Sequence, residues 1–188
     1  MAYPSPDQYN DAVQAPHLAF LDPVLQRGQV HANAMGIPVA LGGGFVVTYA
    51  VRHGRQTFAV RCFHREARGL QDRYARIGQV LSALNSPHFV GFDYQHTGVR
   101  VQGEVFPVVK MDWVKGHTLG AWLERFHRRK SEVNRMIEGF RRIERQMREA
   151  GIAHGDLQNG NVLVGDKGLR LIDYDGMNER PLTRLGTI

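Results

Sequence analysis

Segment 154–176, HGDLQNGNVLVGDKGLRLIDYDG, sets four polar side chains at fixed steps. Asp156 lies 2 residues after His154, Asn161 lies 5 after Asp156, and Asp173 lies 12 after Asn161. A carboxamide and a carboxylate brought to one end of a small sheet can hold a hard cation such as Mg²⁺ through oxygen. Asp156, just upstream, is set to orient or deprotonate a hydroxyl. Phosphoryl transfer needs this arrangement, because its catalysis is mostly positioning and charge neutralisation.

These residues need an element that brings them together. Between Asn161 and Asp173 run two short apolar stretches, Val162 to Val164 and Leu169 to Ile172, joined by Gly165-Asp166-Lys167-Gly168. That composition predicts a tight hairpin, with Asn161 just before one strand and Asp173 just after the next. The alternative is a surface hairpin flanked by ordinary Asx turns. Upstream, Val133, Met136, Ile137, Phe140, Ile143, Met147 and Ala150 predict a helix over about 132–150, with Ser131 as its cap and Gly151 ending it.

HGDLQNGN resembles the catalytic loop of the protein-kinase-like superfamily, and Asp173-Tyr174-Asp175 resembles its metal-binding motif. The resemblance implies an α+β, two-lobed protein-kinase-like fold, with an antiparallel-sheet small lobe and an incomplete helical large lobe. It implies ATP and Mg²⁺ as cofactors, with Asp156, Asn161 and Asp173 catalytic and Asn161 and Asp173 holding the metal. Two departures stand in the motif itself. Gly155 replaces the arginine that usually follows the histidine, so control through that arginine by a phosphorylated activation loop is not expected. Asp175 replaces the glycine of the metal-binding motif, although Gly176 follows.

The rest of the chain extends the resemblance over about residues 37–180. Ile37 to Leu41, then Gly42-Gly43-Gly44-Phe45, then Val46 to Val51 is similar to the kinase glycine-rich loop, whose backbone amides approach phosphate oxygens. By itself it reads equally as a hairpin turn, and Val47 stands near the place of the third glycine. The strand Thr57 to Phe63 is similar to the one whose lysine contacts the nucleotide phosphates, and here that residue is Arg61. Arginine keeps the charge, but its planar fork cannot occupy the point of an ammonium. The alternative for Arg61 is a solvent-facing strand position. Leu70, Tyr74, Ile77, Leu81 and Leu84 predict an amphipathic helix. The resemblance makes it the small-lobe regulatory helix, with Asp72 (Glu66 precedes it in the loop) as the acidic partner of Arg61. Phe89 to Tyr94, Gly98 to Val101 and Val105 to Met111 read as further strands. Met111, Asp112 and Val114 fall at the implied hinge, with Met111 behind the nucleotide and the backbones of Asp112 and Val114 meeting the adenine edge. Thr118 caps a helix whose apolar stripe is Leu119, Trp122, Leu123 and Phe126.

Three segments follow: a leader 1–33, broken by Pro4, Pro6, Pro16 and Pro23 but with room for a short helix over Asp7 to Gln14; a small lobe 34–114; and a partial large lobe 115–188 carrying the catalytic loop and the start of an activation segment. Only 15 residues follow Asp173, where the kinase pattern continues for about a hundred. The expectation is a chain cut from a longer protein, or one whose missing surface comes from a partner.

The chain of 188 residues is 43% hydrophobic, enough for a real core. Its single cysteine, Cys62, excludes an internal disulfide and fits a reducing, cytoplasmic setting. No apolar run is long enough for a membrane span. The formal charge of +6 is concentrated in residues 125–148, where arginines alternate with glutamates. That pattern reads as a solvated helix face in preference to a nucleic-acid surface, since no aromatic residues interleave.

The expected function is therefore an ATP- and Mg²⁺-dependent phosphotransferase. It is closest to bacterial Ser/Thr-type protein kinase domains and acts on a protein substrate or signalling partner. The alternatives are a pseudokinase serving as a nucleotide-binding or scaffold module, and a small-molecule kinase of the aminoglycoside and choline type.

Overall fold

The computed structural model describes residues 2–42, 44–65 and 69–179. They form an α+β structure whose strand pairs, in all three sheets, are antiparallel. The chain divides into two compact units, residues 1–75 with 91–113, and residues 76–90 with 114–188.

The first unit begins with three short helices, α1 (Pro6–Val13), α2 (Pro16–Ala19) and α3 (Pro23–Gln26). Each starts at a proline, whose fixed φ and missing amide suit the first helical position. Ser5 and Gln8 close a capping box on α1, and Asp22 caps α3 by accepting from the Val24 and Leu25 amides. Then come β1 (Gln29–Val30), β2 (Ala40–Leu41), β3 (Val46–His53), β4 (Gln56–Phe63), the start of α4 (Leu70–Leu84), β5 (Phe92–Val101) and β6 (Glu104–Asp112). The sheet order is β1-β3-β4-β6-β5, with β2 also on β3. The strand expected over 37–41 is shorter: only Ala40 and Leu41 pair with β3. Pro38, lacking an amide donor, makes only an isolated bridge with Ala32. The two strands expected between 89 and 101 are a single β5, with a register shift between Gln95 and Val99.

Alternation along the strands gives this sheet two apolar faces. One carries Tyr49, Val51, Val60, Cys62, Val99, Val101, Phe106 and Val108. It is covered by Tyr9, Val13, Ala19, Phe20 and Leu25 from the first 33 residues. Those residues are therefore integral to the unit. Tyr9 donates to the Phe63 carbonyl at 2.7 Å, Tyr49 donates to Asn10 Oδ1 at 2.7 Å, and Lys110 Nζ meets Asp22 Oδ2 at 2.6 Å. The other face carries Val46, Phe63 and Val109 against Leu70 and Tyr74 of α4. There the Tyr74 ring stacks on Tyr94 with centroids 5.5 Å apart.

The second unit takes α4 from Arg76 and continues with β7 (His117–Thr118), α5 (Leu119–Phe126), α6 (Lys130–Glu149), β8 (Ile152–Ala153), a single 3₁₀ turn (Asn159–Asn161), β9 (Val162–Gly165), β10 (Gly168–Leu171) and β11 (Asn178–Glu179). Thr118 caps α5 through the Ala121 amide. α6 begins earlier than expected, at Lys130, so Ser131 lies inside its first turn and Arg129 is the cap residue with no side-chain bond. Its buried stripe is Met136, Ile143 and Met147, and Ile137, on the flank, is 43% exposed. β9 pairs with both β10 and β7, and β8 pairs with β11. None of the helices among the described residues is long and apolar enough to cross a membrane.

Candidate functional site

Helix α6 ends at Glu149 with Ala150 as its cap residue, and Gly151 turns the chain at φ 65° into β8. His154 follows. It is 1% exposed, and its Nε2 lies 3.1 Å from the Ile172 carbonyl. A carbonyl only accepts, so Nε2 carries the proton and Nδ1 keeps its lone pair. Burial lowers the His154 pKa, against smaller opposing effects from the Ile172 hydrogen bond and the Asp173 and Asp156 carboxylates, so the ring is neutral at pH 7. It ties the loop before Asp156 to the strand before Asp173.

Gly155 has φ 80°, and a Cβ there would lie 1.9 Å from the Gly176 carbonyl oxygen. Two glycine backbones thus cross in contact, next to Asp156. β11 then pairs with β8 in the register Asn178↔Ala153 and Glu179↔Ile152, which carries the returning chain alongside the strand before His154. This contact is a physical reason for glycine where the kinase pattern has arginine: no side chain fits under the returning chain.

Asp156 is exposed at the head of a closed turn. Its main-chain oxygen accepts from the Gln158 amide at 3.1 Å and from Asn161 Nδ2 at 3.0 Å. Its carboxylate Oδ2 accepts from Asn161 Nδ2 at 2.9 Å and from Gln158 Nε2 at 3.0 Å. Asn161 is 7% exposed, and its amide orientation follows from this network. With its nitrogen committed to Asp156, the Asn161 side chain has Oδ1 as its remaining polar atom.

The hairpin has the expected form. Val162 faces Leu171 and Gly165 faces Gly168 across the ladder. Asn161 therefore comes opposite Ile172, and the Ile172 amide donates to the Asn161 carbonyl at 3.0 Å. Asp173 is the next residue, at φ 65°, a left-handed conformation that Asp and Asn tolerate better than most residues. Its Oδ1 accepts from the Asp175 amide at 3.4 Å. Tyr174 is buried below. Its hydroxyl accepts from the Val90 amide at 2.7 Å and lies 2.8 Å from the Leu171 carbonyl. Its ring meets His154 edge-on, with centroids 5.9 Å apart.

Among the described residues no cluster of three or more His, Cys, Asp or Glu side chains could hold a metal. The residues that could hold a cation here are Asn161, through its carboxamide oxygen, and Asp173, through its carboxylate. That set suits Mg²⁺, which keeps several waters and takes one or two protein oxygens beside substrate phosphates. It suits zinc poorly, since zinc wants nitrogen or sulfur.

In the first unit, Gly42 and Gly44 adopt φ 104° and 74° at the tip of the β2–β3 hairpin, and Gly43 lies outside the described residues. Arg61 is buried, at 6% exposure, and does not face solvent. It lies opposite Thr48 and Val109, on the α4 side of the sheet by alternation with Phe63. Asp72 is exposed in the first turn of α4, and no ion pair joins it to Arg61. Glu66 lies outside the described residues. Met111 is buried on β6 opposite Ala59, Asp112 ends that strand exposed, and the Trp113 amide donates to the Thr57 carbonyl at 2.9 Å. Val114 is half-buried and begins the second unit's long segment. Residues 180–188, the rest of the expected activation segment, lie outside the described residues.

The structure thus brings Asp156, Asn161 and the hairpin leading to Asp173 together, and leaves Asp72 apart from Arg61. Three residues with a part in the site were not singled out for it by their spacing. Gln158 reaches Asp156, Tyr174 anchors the hairpin, and Gly176 packs on Gly155. Of these only Gln158 carried a readable signal, an amide two residues past the carboxylate. No protein-family model matches the chain, and a search of curated proteins returned no match.

Proposed function

We propose that the chain is an ATP- and Mg²⁺-dependent phosphotransferase with a protein-kinase-like, two-lobed fold, acting on a protein hydroxyl. One observation carries the reading. Asn161 gives its amide nitrogen to the Asp156 carboxylate, while the hairpin register sets Asp173 beside the position opposite Asn161. A base, an amide oxygen and a carboxylate are thereby fixed by one short stretch of chain. Mg²⁺ held by Asn161 Oδ1 and the Asp173 carboxylate would supply charge neutralisation at the phosphates. Asp156 orients the acceptor hydroxyl and takes its proton. His154 holds the loop.

The test is nucleotide binding with and without Mg²⁺, in the parent chain and in Asp173→Ala, followed by turnover in Asp156→Ala. Metal-dependent ATP binding lost in Asp173→Ala, and turnover reduced about 10²- to 10⁴-fold in Asp156→Ala with binding kept, are the expected results. A folded sample that binds no nucleotide would sink the reading. A pseudokinase, binding nucleotide without transferring phosphate, is the alternative. ATP binding without turnover in the parent chain would select that alternative.

A further inference from the structure

The contacts around Asp156 are unequal between its two carboxylate oxygens. Gln158 and Asn161 each touch Asp156 twice, once at the main-chain oxygen and once at Oδ2, at 2.9 to 3.1 Å. Among the described residues no donor reaches Oδ1. An amide nitrogen on each side of Oδ2 occupies its lone pairs, so the carboxylate cannot turn about its Cβ–Cγ bond without breaking both bonds. Asn161 is buried and is held in turn by the hairpin, through its own carbonyl. Gln158 is exposed, and its main-chain carbonyl accepts from the Asn161 amide at 3.0 Å, so the turn closes on itself.

The geometry points to Gln158 as a positioning residue that, with Asn161, fixes the Asp156 carboxylate by Oδ2 and leaves Oδ1 as the one oxygen that accepts the substrate proton. This rests on the phosphotransferase reading for its consequence, although the clamp itself does not. In the reaction, the acceptor hydroxyl oxygen bonds the γ-phosphorus. The bond from that phosphorus to the bridging oxygen breaks, with its electron pair leaving on the nucleoside diphosphate. The hydroxyl proton passes to Oδ1. A carboxylate free to rotate would present either oxygen at random and spend part of its time out of line with the hydroxyl. Gln158 is neutral, so its contribution is orientation rather than charge, and any side chain that keeps an N–H donor at the same reach should substitute.

Two measurements test this. The first is the side-chain amide NMR signals of Gln158 and Asn161, in the parent chain and in Asp156→Ala. Both pairs are expected to shift when the carboxylate is removed. A Gln158 signal at the position of a free, solvated glutamine in both samples overturns the clamp, whatever the activity. The second is kinetics. Gln158→Ala is expected to lower kcat about tenfold with KM for ATP unchanged. Gln158→Lys, which keeps a donor, should recover most of that loss, and Gln158→Glu, which sets a like charge against Asp156, should fall below Gln158→Ala. An unchanged kcat in Gln158→Ala overturns the positioning role. Shifted NMR signals in a chain that turns over no ATP would uphold the clamp and reject the phosphotransferase reading instead.

Discussion

His154 and Gly155 decide where the backbone of Asp156 runs, before any side chain orients its carboxylate. Gly155 is where one atom matters most, because a Cβ meets the Gly176 carbonyl and φ is positive as well. Gly155→Ala is expected to cost about 1–3 kcal/mol, read by urea unfolding, since the returning chain must move or the residue must strain. Tyr174→Phe tests the other support. It leaves the buried Val90 amide and Leu171 carbonyl without the hydroxyl that both contact, a loss of about 1–3 kcal/mol in the same measurement. At this scale the sequence was readable where chemistry follows spacing. His154, Asp156, Asn161 and Asp173 stand out because they are polar types at steps of 2, 5 and 12. The Gly155–Gly176 crossing was not readable, because a close backbone approach between residues far apart in sequence is marked only by missing side chains.

Among the elements, the helices of the first 33 residues show least in their sequence which side chains they bury. Four prolines and short helical stretches read as a leader with room to pack on the domain that follows, and Tyr9, Val13, Phe20 and Leu25 are all at most 1% exposed against the first sheet. Phe20→Ala is expected to cost about 3–5 kcal/mol, as for a well-packed core aromatic, with a fall in the thermal midpoint as the readout. A leader merely resting on the surface would lose far less. The reason this was hidden is that the leader's helices are too short to show a period, so only the sheet they cover reveals their buried side. By contrast, α4 was legible because Leu70, Tyr74, Ile77 and Leu81 repeat at helical steps, and all four are buried. The exposed pairs on α6, Arg135 with Glu132 and Arg141 with Glu138, add little to stability at such exposure.

For the whole molecule, the pH profile of stability joins the two units in one measurement. Burial opposes ionisation of Asp22, but Lys110, the Leu25 and Val24 amides and Gln95 outweigh it and lower its pKa. The unfolded chain then binds the proton more readily than the folded one. Stability from this group is full above the unfolded value of about 3.9 and is lost as pH falls through the folded pKa. His154, lowered by burial, acts higher on the scale. Its contribution is whole above the unfolded value of about 6.5 and erodes as pH falls toward its folded pKa. Thermal melts across pH 2–8 should show a loss beginning near 6.5 and a second one below about 4. Asp22→Asn should weaken the lower step and His154→Gln the upper. The α+β class, which the resemblance implied, is what the strand runs and helical periods form. The division after Trp113 carries no linker composition, because β6 runs on to Trp113, whose amide still bonds Thr57, so the boundary expected after Val114 rested on the resemblance alone.

The Asp22–Lys110 bond spans 88 residues, and Tyr9 reaches Phe63 across 54. At a synthesis rate of about 5–20 residues per second, Asp22 leaves the ribosome roughly 4 to 18 seconds before its lysine. Until β5 and β6 follow, Phe20 and Leu25 have only part of their sheet to cover. The early segment is an apolar guest whose host is completed last, so its buried side is exposed to association while the final strands are still being made.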